Sequence, residues 1–371
     1  MLLAPAAAFA APGAVPSPSA PAAADRSDTI ERHPLELRAL IEPEAVLREL
    51  SAAIISARLA GDQRLVALLY LAQANACRVV ADWDCQREAG INARAAATEA
   101  GAPHLAVRGI IAESRARLAM QDYTRASRLL GDAELLLKQA PQPELLADVM
   151  LAYSSMSYAL GKYPISVEYA QRGLAVLGED EGLAMRARLF RNRARGEAQL
   201  DQVEAATGSL RSATVLAQRI EDPKLEAELY LEGARVARIV GDLATQRRNG
   251  ERVLAMASQL RNSQLAGLGH EVLGLAASDA GDGDAARREL RAAQQSFRML
   301  ELQSDELRVS RELVSVLLRF DPAGRELAPL FQRYLVLDNA IAQNERLQAA
   351  DDFGARLEYA ERENELIRLQ G

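Results

Sequence analysis

The side chains of this chain that could do chemistry are arginines set at helical spacing. Arg188, Arg191 and Arg195 follow one another at steps of three and four, so they share one helix face. Arg108, Arg115, Arg235 and Arg238 fall on equivalent faces of neighbouring segments, with Tyr158 among them. A guanidinium fork matches the two oxygens of a carboxylate or phosphate. These residues therefore predict a groove for an acidic peptide tail or another anionic ligand. Asp148, Glu228 and Glu271 lie in the same columns and could pair with some of the arginines, cancelling part of the field.

Other reactive groups are sparse. Cys77 and Cys85 are the only cysteines. Two readings stand for them: small buried side chains beside a turn, or a disulfide stapling the first helical hairpin. His33, His104 and His270 are far apart, and His270-Glu271 lacks the second histidine that a zincin helix needs. Gly281-Asp282-Gly283-Asp284 lacks the later ligands of a calcium loop. Gly267-Leu268-Gly269 sits in a helical pattern with no strand before it, which argues against a phosphate cradle. No catalysis, cofactor or metal is expected.

The elements that must position the arginines repeat every forty residues. Trp83, Tyr123, Tyr163, Val203, Leu243 and Gly283 mark the step, each preceded by a polar, Gly-tolerant pair. They read as plugs closing a turn. Nine residues before each mark stands a small side chain: Ala74, Ser114, Ser154, Ala194, Ala234, Gly274. Ten residues after it the side chain is again small: Ala93, Ala133, Gly173, Ala213, Val253, Ala293. Small residues on both sides of a turn let two helices approach closely. A fixed period of this length marks a solenoid. A lone helix and then seven hairpins are expected, and the first helix of each pair carries the arginine columns.

The small–turn–small spacing resembles the tetratricopeptide repeat, in a long variety. The resemblance implies an all-α, right-handed superhelical solenoid of helix hairpins across residues 43–337. It also implies a protein or peptide ligand on the concave face.

Composition agrees with a helical array. Of 371 residues, 49% are hydrophobic but only 4% aromatic, which suits helices and leaves little for a sheet. The formal net charge of −7 argues against a general nucleic-acid binder. No apolar run reaches the length of a membrane span. Met1 to Ala10, MLLAPAAAFA, ends on Ala8-Phe9-Ala10, the small-x-small form of a signal-peptidase site, but it lacks a basic start. Residues 1–24 are read as a clipped signal peptide and an Ala/Pro-rich linker, and residues 25–42 as a leader segment. The expected location is the periplasm.

Residues 338–371 change character. Ala350, Phe353, Leu357, Ala360, Asn364 and Ile367 step by three and four alternately, a heptad seam with a polar position inside it. They predict a helical stalk that pairs two copies as a coiled-coil homodimer. The order of array then Glu-rich helix, FGARLEYAERENELIRLQ, resembles the extracytoplasmic sensor region of bacterial membrane signalling proteins. That resemblance implies a span and a diguanylate cyclase (GGDEF) or kinase output beyond Gly371. Two rivals stay open: a free periplasmic scaffold for protein assembly, and a cytoplasmic regulator whose Ala-rich start is no signal.

Overall fold

The computed structural model describes residues 30–178, 182–220 and 222–343, and all regular structure among them is α-helical. The leader contains a short helix, α1 (Pro34–Arg38), which the sequence pattern does not reveal. His33 caps it, its Nδ1 accepting the Leu35 N–H at 3.2 Å. The lone helix α2 (Pro43–Leu59) follows. Then come the hairpins α3 (Gln63–Val80) with α4 (Trp83–Glu99), α5 (Pro103–Ala119) with α6 (Tyr123–Gln139), and α7 (Pro143–Ala159) with α8 (Tyr163–Val176). Next are α9 (Leu183–Gln199) with α10 (Val203–Ala217), α11 (Pro223–Ile239) with α12 (Leu243–Gln259), and α13 (Ser263–Asp279) with α14 (Gly283–Met299). Finally α15 (Gln303–Phe320) leads into α16, which runs from 327 through 343, the last described residue. The seam positions Ala350, Phe353, Leu357, Ala360, Asn364 and Ile367 lie outside the described residues, as do residues 1–24.

Local chemistry sets the ends of these helices. Prolines open α2, α5, α7 and α11, where a missing N–H costs nothing. In each hairpin turn one residue is left-handed: Ala81 (φ 62°), Gln121 (63°), Gly161 (69°), Asp201 (57°), Gly241 (76°) and Gly281 (84°). The next residue caps the second helix. Asp82, Asp122, Asp242 and Asp282 each accept a backbone N–H three positions on, whereas Lys162 and Gln202 make no such bond. The six residues read from sequence as plugs are the first residues of the second helices. They do not enter the core. Trp83, Tyr123, Tyr163 and Val203 are half-buried and Leu243 is 37% exposed, because a helix's first residue lies beside the turn and not under a neighbour.

The small columns carry the packing. Ala74, Ser114, Ser154, Ala194, Ala234 and Gly274 are all buried, as are Ala93, Ala133, Gly173, Ala213, Val253 and Ala293. Ser154 and Ser166 show how close the helices come: each hydroxyl donates to the other's backbone carbonyl at 2.9 Å. Ser114 repeats half of this motif on the Ala126 carbonyl at 3.2 Å. Between hairpins, Gly90 of α4 meets Gly109 of α5. A Cβ on Gly90 would fall 2.6 Å from the Glu113 nitrogen, and one on Gly109 2.7 Å from the Arg94 nitrogen.

First helices also pack on the first helices of adjacent hairpins, α3 on α5, α5 on α7 and onward to α13. That puts them on the inside of the curve. The curve is tight enough to close a turn. The Asn262 side chain, at the cap of α13, donates to the Val79 carbonyl of α3 at 2.7 Å, across 183 residues. Val79 is buried with Ala227, Ala257, Leu260 and Leu265. Arg261 reaches Glu44 at 2.7 Å beside this seam.

Cys77 on α3 and Cys85 on α4 are joined across the first hairpin turn, their Cα atoms 5.8 Å apart. Thiol titration of the unfolded, unreduced protein should therefore find no free cysteine, and two free thiols would contradict the bond. Replacing Ala234 with Leu should lower the thermal midpoint, at a cost of about 1–3 kcal/mol, because the site has no room for extra methylenes. A thermally neutral Ala234→Leu protein would contradict the packing described above.

Candidate ligand-binding face

The arginine columns project from the first helices onto the inner face. Arg188, Arg191 and Arg195 line one side of α9 and reach across to α11, where they pair with Asp222, Glu228 and Glu232. Arg115 of α5 pairs with Asp148 of α7 in the same way. Arg238 of α11 reaches Asp279 of α13 at 2.8 Å, and Arg308 of α15 reaches back to Glu271. Arg235 pairs within its own helix, with Glu232 at 2.8 Å. Arg108 takes the leader as its partner, bonding Glu36 of α1. Five of the seven sequence-named arginines, Arg115, Arg188, Arg191, Arg195 and Arg238, thus form a ladder of ion pairs between successive first helices, and the other two pair within α11 or with the leader.

Tyr158 stands in the middle of this face. The Arg195 guanidinium lies 3.6 Å from its ring centroid, a cation–π stack. Arg195 is thereby held between the Tyr158 ring and Glu232, 3.5 Å away.

Burial makes these charges interact strongly. Asp222 does two jobs: its Oδ1 caps α11 by accepting the Leu225 N–H at 3.0 Å, and its Oδ2 accepts Arg188. Burial alone would push its carboxyl up, but Arg188 and Arg78 outweigh that and hold it below the usual range. Glu228 behaves likewise. Burial opposes its charge, yet Arg191 and Lys224 keep it well below the ordinary carboxylate value. Lys224 goes the other way: burial and the nearby Arg78 push it down, and Glu228 only partly restores it.

Several members of this face were not picked out from sequence. Asp222, Glu232 and Asp279 lie 34, 37 and 41 residues beyond the arginines they bind. One repeat length ahead is the signal that could have found them. Lys224, Glu36 and Arg308 were also missed. The histidines stay apart: His104 contacts the Ala140 carbonyl at 3.2 Å, and His270 pairs with Glu289 at 2.8 Å. No group of three metal-ligating side chains comes together among the described residues.

No family model matches the chain, and no curated protein matches it. Solved structures do. The crystal structure of Rap protein complexed with Competence and Sporulation Factor superposes with a TM-score of 0.55 at 12% identity, covering 82% of this chain and 99% of that one. The APC/C hetero-tetramer Cut9–Hcn1 superposes with a TM-score of 0.54, also at 12% identity, covering 81% of this chain and 48% of that one. The fold is a tetratricopeptide-like solenoid. At such identities the likeness shows the fold alone. No helix among the described residues is long and apolar enough to cross a membrane.

The solenoid's ion-pair ladder has a pH signature. Depressed carboxylates stabilise the fold above their unfolded values, near pH 4, and that stability is lost as pH falls through their lower folded values. The thermal midpoint should therefore drop on acidification below about pH 4. Glu228→Gln should destabilise the neutral protein by about 2–3 kcal/mol, since it strips a charged acceptor from Arg191 and Lys224. Chemical denaturation of both proteins from pH 7 to pH 2.5 would check this. A Glu228→Gln protein with wild-type stability and acid sensitivity would contradict it.

Proposed function

We propose that this solenoid is a recognition module that binds a protein or peptide segment along its inner face. The observation that carries this reading is the face itself. First helices from successive hairpins present half-buried arginines and Tyr158 on one continuous curved surface, with their side chains already fixed by the pairs described above. Fixed donors bind with less ordering cost than free ones. The similar Rap structure is of a complex with Competence and Sporulation Factor, which supports the same use here. Guanidinium groups favour an acidic segment, as the sequence reading holds.

The finer reading is a sensor outside the cytoplasm. A disulfide across the first hairpin turn supports an oxidising compartment, since such bonds are rare where thiols are kept reduced. On this reading the heptad residues of 338–371 pair two copies, and ligand binding changes the curvature that the stalk receives. A membrane-anchored output such as a diguanylate cyclase would then lie outside this chain. The recognition function does not depend on that coupling.

Selection of a random peptide display library on the full chain tests the recognition reading. Enriched peptides should carry acidic residues, and their affinity should fall as salt rises. Tyr158→Ala should weaken them about tenfold, the loss of one good contact. Arg248→Ala, on the exposed side of α12, should leave binding unchanged. An unenriched library, or equal effects of the two substitutions, would refute the proposal.

A further inference from the structure

One inner-face cation stands apart from the ladder. Arg78 lies near the end of α3, one residue before Val79, whose carbonyl holds Asn262 at the seam. Its Nε and Nη2 both donate to Asn75 Oδ1, at 3.1 and 2.8 Å. Asn75 is in turn fixed by donating to the Glu36 carbonyl at 2.8 Å. No carboxylate forms an ion pair with Arg78 among the described residues, and its Nη1 has no acceptor there. Every other arginine of the ladder has an acidic partner.

The surroundings do not make up the deficit. The charges acting most strongly on Arg78 are Arg188, Asp222, Glu228 and Arg115. Their own partners add Asp148 beside Arg115, and Arg191 and Lys224 beside Glu228. The group holds five cations (Arg78, Arg115, Arg188, Arg191, Lys224) against three anions (Asp148, Asp222, Glu228), an excess of two. The chain as a whole carries −7. Burial, with Arg188 adding to it, pulls the Arg78 guanidinium down to about 10. A half-buried guanidinium that no carboxylate pairs directly is costly. An incoming anion would remove that cost.

We infer that Arg78, backed by Asn75 and flanked by Arg188 and Arg115, is an oxyanion-binding site at the seam of the solenoid. Its ligand is a group with two oxygens in one plane or on one face: a carboxylate of a bound acidic segment, or a phosphate. The Nη edge of the guanidinium supplies the fork, and the excess positive charge supplies the attraction. The site adjoins the residue that closes the turn, so occupancy also ties ligand binding to the seam. The peptide form of this inference deepens the recognition function proposed above and rests on it. The free-anion form does not.

Thermal unfolding of the full chain at constant ionic strength tests the site. One arm titrates inorganic phosphate against chloride. The other titrates an acetylated, amidated tri-glutamate peptide against its tri-glutamine counterpart. A midpoint that rises with phosphate alone assigns a free anion, and one that rises with the glutamate peptide assigns a peptide carboxylate. Either response should weaken about tenfold or more in Arg78→Gln, as expected for a lost charged hydrogen bond. Arg78→Lys, which keeps the charge without the fork, should retain part of it. Without ligand, Arg78→Gln should melt no lower than the wild type. The inference is overturned if neither probe raises the wild-type midpoint, if the response survives in Arg78→Gln, or if the unliganded Arg78→Gln protein is clearly less stable. Display-selected peptides that bind Arg78→Gln normally would leave the recognition function standing and remove this site alone.

Discussion

Close approach of helix backbones is the constraint on which this molecule rests. A helix with a large side chain at the crossing height keeps its neighbour at the wide end of the usual 8–10 Å range. Here the crossing heights are held by Ala, Ser and Gly, and in one place by two facing glycines, Gly90 and Gly109. The serine pair at 154 and 166 turns the same closeness into hydrogen bonds between backbones. Each hairpin thereby becomes a thin slab, and thin slabs stack with a strong turn between them. Everything on the inner face follows from that turn, because it decides which side chains of adjacent first helices can meet.

The ion-pair ladder is one result. An isolated surface salt bridge contributes little. Paired across a concave surface, partly shielded from water, the same groups also exclude alternatives: an arginine that slips past its partner leaves two charges half-buried and alone. The ladder thus fixes the spacing of neighbouring repeats while leaving polar groups on display. Arg195 is the clearest case, since Tyr158 on one side and Glu232 on the other hold it in one pose. A face built this way is a brace, and the proposed recognition role would draw on the same side chains.

Much of the architecture could be read from residue spacing, because packing at small residues leaves a periodic trace. The helix pairs are where the forty-residue step places them, and the small columns at Ala74, Ala194 and Ala234 are buried as expected. The misses have local causes. Trp83 and its equivalents were expected to plug turns, but they are first residues of helices and lie at the rim. Helix α1 has five residues, too few to show a period. The arginine columns were legible as a face. Their partners were only partly so: Asp148, Glu228 and Glu271 share the columns, whereas Asp222 sits at a helix cap and Glu36 lies in the leader. Nothing in the sequence distinguishes Arg78 from the other arginines of the first helices. Its setting depends on the curve bringing the end of α3 to α11, and curvature is a sum over many contacts that no short stretch of sequence displays.

The seam between Val79 and Asn262 has a consequence for the length of the array. An open solenoid can gain or lose a unit and change little beyond its end. This one has a matched pair of surfaces 183 residues apart, and they must arrive in phase. The caps of the first helices differ at the equivalent place: Asp222 one repeat earlier, Leu302 one repeat later. Inserting a hairpin within the turn would bring Asp222 to the Val79 carbonyl, two acceptors facing each other. Deleting one would bring Leu302, with nothing to donate. The number of hairpins is therefore tied to the chemistry of one amide, and the solenoid keeps count of its own repeats.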